Sequence, residues 1–140
     1  MNHGLPSSGI LRGLRSSDFL SKHGEIVGPA YQPDKKTAQA RGDGFQETSI
    51  NWHTCDDALN LMWRNKGQTA FGVAQVADLA AVIECVERTP NNKEAFSYEK
   101  AELHNNPYHG NLLFTTEEKK QHAVRAIAAV LALHSVLITK

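Results

Sequence analysis

Much is scarce in this 140-residue chain, and each scarcity removes a class of explanation. Only two cysteines occur, Cys55 and Cys85, far apart in sequence. Two cysteines do not make the disulfide framework of a small secreted domain, so a reduced, cytoplasmic setting is the expectation. Net charge is absent: 15 Lys+Arg balance 15 Asp+Glu, which leaves no electrostatic footprint for non-specific nucleic-acid binding. Aromatics are 7% of the chain and are not interleaved with basic residues, unlike a platform that stacks single-stranded bases. The longest apolar-rich stretch, Ala123 to Leu133, falls short of the ~20 residues that cross a bilayer, and no basic segment followed by an apolar run opens the chain. Neither membrane insertion nor a signal peptide is therefore expected. Gly-rich phosphate loops are missing as well, and so is a G-x-S-x-G nucleophile elbow.

What is present suits a single globular domain. Hydrophobic residues make up 41% and charged residues 21%, and the length supports one core. Residues 1–9 are rich in Gly, Pro and Ser and read as a flexible leader to a domain spanning 10–140. Strands are expected at Ile10–Leu14, at Glu25–Tyr31 (an edge or bulged strand, because of Gly28-Pro29), at Glu47–Trp52, at Thr69–Val76, at Tyr108–Phe114 and at Ser135–Thr139. The helical expectations are a short helix capped by Ser17 or Asp18, one capped by Thr54 with Leu59, Met62 and Trp63 on its apolar face, Ala77–Arg88, and a long one from about Glu117 to Leu133. Thr115 and Glu118 have the spacing of a capping box for that last helix. Residues 33–44, including DKKTAQARGDG, read as a long polar loop. Strands and helices mix without a regular β-α-β alternation, so the fold class is α+β, with a central, mainly antiparallel sheet and about three helices.

The most informative stretch is DGFQETSINWHTCDDALNLMWRN, residues 43–65. A period of two puts Thr48, Ile50 and Trp52 on one face and Glu47, Ser49 and Asn51 on the other. The first set is expected in the core. The second is a carboxylate, a hydroxyl and an amide in a row, with His53 and Cys55 just beyond. A second polar group surrounds the turn NNPYHG, with His104, Asn106 and His109. The sequence reading places both groups on one pocket, with Tyr31 and Tyr108 contributing its apolar wall.

Two kinds of chemistry weigh against simpler roles. His53, Cys55, Cys85, His104 and His109 are zinc-ligand types, but no C-x₂-C or paired H-x₃₋₅-H spacing occurs, so no metal is expected. Cys55 with a nearby histidine resembles a Cys-His nucleophile, yet the helix start lowers a thiol pKa while Asp56 and Asp57 raise it. The simpler reading makes Cys85 a buried small hydrophobe, Cys55 a packing residue and the histidines surface or capping residues.

The order Arg12, Tyr31, Glu47 along three successive predicted strands is similar to the pattern of ADP-ribosyltransferase and RES-type folds. That resemblance implies that Arg12 holds the phosphates of NAD or a similar nucleotide-like ligand, Tyr31 stacks on the nicotinamide and Glu47 orients the ribose. Over most of its length the chain also resembles a small uncharacterised bacterial family, through LRGLRSSDF, GEIVGPAY, ETSINW, FGVA and NNPYHGN. This second resemblance implies no activity, but it implies that Glu47, Ser49, Asn51 and His109 converge. The ligand-binding candidates are therefore Arg12, Tyr31, Glu47, Ser49, Asn51, His104 and His109. The expected function is a cytoplasmic bacterial binding or accessory protein from a defence or toxin–antitoxin locus, with a protein partner or a small nucleotide-like ligand. A small ADP-ribosyltransferase-like enzyme is the alternative. The residues assign no cofactor and no catalytic group.

Overall fold

A computed structural model describes residues 9–14, 17–33, 36–63, 72–88 and 94–139. The expected leader, residues 1–9, lies outside the described residues apart from Gly9, as do the start of the strand expected from Thr69 and, apart from Glu94, residues 89–94, where Pro90-Asn91-Asn92 signals a turn. The architecture is α+β, built on one six-stranded sheet. The strands are β1 (Ile10–Leu14), β2 (Phe45–Trp52), β3 (Gly72–Val76), β4 (Phe96–Lys100), β5 (His109–Thr115) and β6 (Ser135–Ile138). Their order across the sheet is β4-β5-β2-β1-β3-β6, and every neighbouring pair is antiparallel. Four α-helices complete the described residues: α1 (Lys36–Arg41), α2 (Asp56–Trp63), α3 (Leu79–Glu87) and α4 (Gln121–Leu133). None of these helices is long and apolar enough to cross a membrane.

One face of the sheet carries the main core. Ile10 and Leu14 of β1, Ile50 and Trp52 of β2, Ala74 and Val76 of β3, and Leu112 and Phe114 of β5 meet Ile127, Ala128 and Leu131 of α4 there. Each strand contributes alternate residues, as a two-residue period requires. The expected burial of Thr48, Ile50 and Trp52 is therefore found. Helix α3 adds Leu79, Val82, Ile83 and Val86, and the Asp78 carboxylate caps it by accepting from the amide of Ala81 at 3.1 Å.

The opposite face is not wholly open. Leu11 of β1 and Val73 of β3 point away from the main core and pack with Ala58, beside Leu59, Met62 and Trp63 of α2. The outer β1–β3 half of this second face is thus apolar and covered, while its β2–β5–β4 half is polar. That division positions the candidate site.

Three local expectations differ from the structure. Residues 28–31 form a 3₁₀ turn, not a strand: Pro29 lacks a ladder donor, and its fixed φ suits a first helical turn, where no N–H is needed. Residues 36–41 of the expected polar loop form α1. The last long helix starts at Gln121, after a 3₁₀ turn at Glu118–Lys120, so Thr115 does not cap it. Thr115 instead closes the end of β5, its hydroxyl accepting from the Glu117 amide at 3.2 Å.

Candidate functional site

The site is built by strand register. Antiparallel partners share a face, so the pairs Glu47↔Leu113, Ser49↔Asn111 and Asn51↔His109 line the second face along β2 and β5. Glu99↔Asn111 and Ser97↔Leu113 extend it on to β4. The result is a polar band three strands wide, bounded on the β1 side by α2.

Arg41 closes one end of the band. Its guanidinium donates to Glu47 Oε1 (2.8 Å) on β2 and to both carboxylate oxygens of Glu99 (2.9 and 3.2 Å) on β4. A group bonded to both outer strands must lie over β5, which explains how Leu113 stays buried on a polar face. Two further bonds run from Arg41 to Asp43 at 3.2 and 2.8 Å. Asp43 also accepts from the Phe45 amide at 3.1 Å, closing the turn that feeds β2, and Gly42 and Gly44 on either side adopt the positive φ such a turn requires. Glu99, then Asp43, then Glu47 hold the guanidinium in its charged form. Reciprocally, Arg41 holds the Glu99 carboxyl below the usual range, aided by Asn111, and does the same for Asp43.

Asn111 occupies the middle of the band and is 3% exposed. Its Nδ2 donates to Glu99 Oε2 at 2.9 Å, which fixes the orientation of the amide. Its Oδ1 is buried without a hydrogen-bond partner. Ser49, directly opposite on β2, is exposed.

Asn51 marks the other end. It lies on the polar face as expected, but it is fully buried. Helix α2 covers it: Asn51 Nδ2 donates to Ala58 O at 2.8 Å, and Asn51 Oδ1 accepts from Asn106 Nδ2 at 2.7 Å. Asn106 Oδ1 in turn accepts from the Tyr108 amide at 3.0 Å. The NNPYHG turn and the 47–51 strand are therefore joined, though through Asn106 and not through His104 or His109. His104 is exposed, and the His109 ring is bonded to Ala101 O at 2.8 Å. Glu47 and His109 share the face but are separated by the Ser49 and Asn51 positions, about 13 Å of strand, so they do not meet around one small group.

Arg12 and Tyr31 lie elsewhere. Arg12 shares the core-side face with Ile10 and Leu14. β1 and β2 pair only at Ile10↔Trp52 and Leu11↔Asn51. Beyond that point Arg12 reaches from β1 to the Ser49 carbonyl (2.8 Å) and the Ala30 carbonyl (3.1 Å). Tyr31 is fully buried, and its hydroxyl is 2.6 Å from Ser135 Oγ. Ser135 Oγ donates to Leu131 O at 2.7 Å, so it is the Tyr31 hydroxyl that donates to Ser135. Burial pushes the Tyr31 phenol up to about 12, against smaller opposing effects of Ser135 and Arg12. The Tyr31 carbonyl accepts from Thr48 Oγ1 at 2.9 Å. The sheet thus separates Arg12 and Tyr31 from Glu47, and a ring with no exposed surface cannot stack on a ligand. Tyr31 likewise forms no wall of the polar band.

The second end of the band adjoins His53, Cys55 and Tyr108. His53 has a φ of 75°, the one positive value among described non-glycine residues, where β2 turns into α2. Its ring meets Tyr108 edge-on at 5.8 Å, and the Cys55 thiol, more than burial, raises the Tyr108 phenol. Both cysteines are exposed, Cys85 included, contrary to the packing role expected for them. Among the described residues no group of three His, Cys, Asp or Glu could hold a metal ion.

Sequence reasoning missed Arg41, Glu99 and Asn111. Asn111 carried a signal: it is the one amide within the otherwise apolar run of β5, where an unpaired polar group is costly. Arg41 and Glu99 carried none, because their partners come from distant segments. No protein-family model matches the chain, and the searches of curated proteins and of solved structures returned no match.

Proposed function

We propose that this chain is a small binding or accessory protein whose ligand docks on the polar band of β2, β5 and β4. The observation that carries this reading is Asn111: a buried amide oxygen without a hydrogen-bond partner, in the centre of the band, beside an exposed hydroxyl. Leaving such a group unpaired costs about 1–3 kcal/mol, which a ligand or an ordered water recovers. The enzyme alternative is weaker. Its Arg12–Tyr31–Glu47 pattern requires the three side chains in one cleft, whereas Arg12 and Tyr31 pack on the core side and Glu47 on the other. Balanced charge and small size fit a cytoplasmic accessory role, and a bacterial defence or toxin–antitoxin locus is the setting proposed for it.

A thermal-shift panel of nucleotides, NAD, divalent metals and small amines tests the reading. A compound present at about 100 times its Kd should stabilise the fold by about 2.7 kcal/mol. Ser49→Trp, which fills the exposed centre of the band, should abolish that shift without lowering the melting temperature of the free protein. Turnover of NAD, or a ligand indifferent to Ser49→Trp, would sink the proposal.

A further inference from the structure

We propose that the outer edge of β6 pairs with the β6 edge of a second copy of this chain, joining two six-stranded sheets into one. This edge lies beyond β1 and β3 from the polar band, so the pairing and the ligand site are separate. β6 ends the strand order and has β3 as its one strand neighbour among the described residues, through Val73↔Ile138, Ala74↔Leu137, Gln75↔Val136 and Val76↔Ser135. An edge strand turns the N–H and C=O of alternate residues away from its neighbour, which makes a template for another strand. Among the described residues no backbone hydrogen bond reaches that outer row of β6.

Composition distinguishes this edge from the other one. β4, at the far side of the sheet, carries Glu99 and Lys100, charges of the kind by which edge strands resist pairing. β6 has neither charge nor proline, and Leu133 to Thr139 contains no Asp, Glu, Lys or Arg. Exposure follows the same division. Of the three large hydrophobic side chains exposed among the described residues, two adjoin this edge: Leu133 is 80% exposed and Val136 is 63% exposed. They bracket it from both faces. Val136 is in phase with Ile138, which packs beside Leu11 and Val73 on the second face, whereas Leu133 ends α4, the helix over the main core.

The occupant is a second copy because the edge is complementary to itself. Every neighbouring pair in this sheet is antiparallel, and two identical strands paired that way are related by a two-fold axis perpendicular to the sheet. That axis keeps like faces together, so both α4 helices lie on one side of the joined sheet and both Val136 side chains on the other. No charged side chain of β6 stands in the seam to repel its counterpart, and the whole chain balances 15 Lys+Arg against 15 Asp+Glu. Each copy uses its β6 edge in the pair and keeps only the charged β4 edge, so growth stops at two. A four-residue strand makes a short contact, in the class below ~1,200 Å² that associates weakly, so the pair forms between about 10 µM and 1 mM.

Sedimentation equilibrium of the full chain across that range is the test, with the mass rising to twice that of one chain. Amide hydrogen exchange on the unaltered chain locates the contact. Alternate β6 amides, those turned outward, should gain protection as concentration rises, while those bonded to β3 should not change. Val136→Lys and Val136→Glu, at an exposed position, should each weaken association at least ~tenfold and leave the melting temperature unchanged. An equimolar mixture of the two variants should associate again, because opposite charges then face each other across the seam. Four results would each overturn the pairing: a chain still monomeric at about 1 mM, protection gained elsewhere but not along β6, a mixture no tighter than either variant alone, or species larger than a dimer.

Discussion

The indole of Trp52 lies against Gly110, and this contact yields the sharpest stability prediction. Trp52 is 2% exposed, packs edge-on to Tyr98 at 5.8 Å and donates from Nε1 to Glu99 O at 3.2 Å. It can do so only because the strand beneath it has no side chain. A Cβ on Gly110 would overlap Trp52 Nε1 and would stand 2.7 Å from Glu99 O, the acceptor of the same bond. The carbonyl belongs to the β4–β5 ladder and cannot yield, so the indole must. Forcing it out costs about 1–3 kcal/mol in overpacking, and losing its bond adds about 1 kcal/mol. Gly110→Ala should therefore destabilise by about 3 kcal/mol. Trp52→Ala alone should cost about 3–5 kcal/mol through the cavity it leaves. The double variant is the decisive one. With the indole gone, the overlap with Trp52 disappears and only the 2.7 Å approach to Glu99 O remains. Gly110→Ala should then cost clearly less in the Trp52→Ala background than in the wild type, a coupling of about 2 kcal/mol. Urea denaturation followed by far-UV circular dichroism measures all four corners of the cycle without relying on tryptophan emission. Additive effects, or a Gly110→Ala cost below about 0.5 kcal/mol, would refute the packing argument.

Other predictions concern buried polar groups. The Tyr31 phenol, raised from 10.0 to about 12 by burial, contributes stability that is complete below pH 10 and is lost as pH rises through about 12. Wild type should lose about 2–3 kcal/mol across that window relative to Tyr31→Phe, and parallel alkaline unfolding curves would contradict this. Asn51→Ala leaves the Ala58 carbonyl and the Asn106 amide without their partner and should cost about 2–3 kcal/mol; a loss below about 0.5 kcal/mol in urea unfolding would show that water replaces the amide freely. For Arg41 the sign runs the other way. Its bonds depress the carboxyls of Glu99 and Asp43, so the stability they confer is present above their usual range near pH 4 and is lost as pH falls through the lowered values. Arg41→Gln should cost about 1–2 kcal/mol at pH 7, a modest figure because the carboxylates are partly solvated, and should flatten the acid limb. An unchanged difference in urea midpoint between pH 7 and pH 3 would count against that network.

Local signals in the sequence were sufficient where one residue or one period decided the outcome. Alternation at Thr48, Ile50 and Trp52 placed β2 correctly, and Leu79, Val82, Ile83 and Val86 placed α3, because burying one stripe leaves little freedom in phase. The segment Glu25–Tyr31 misled because its apolar residues suit a strand, while Pro29 favours a 3₁₀ turn once tertiary packing covers it. Helix α1 has no apolar stripe to read; its visible anchor is Arg41, whose partners Glu47 and Glu99 come from other parts of the chain. The second apolar face was the larger omission. Leu11, Val73 and the Leu59–Met62–Trp63 stripe were each visible, but their common destination required knowing that β1 and β3 are neighbours. The same holds for the polar band. Glu47, Ser49 and Asn51 were recognised as one row, yet a row on one strand is only an edge of a surface. Asn111 enters because Ser49 pairs with it, and Glu99 because Asn111 pairs with Glu99 in turn. A polar surface that crosses three antiparallel strands is encoded in register, and register between β2, β5 and β4 is set by packing on the core-side face, where Trp52, Leu112 and Phe114 interlock. The residues that hold the band in alignment are therefore not those that would touch a ligand, so substitutions at Trp52 or Gly110 should disturb binding as well as stability.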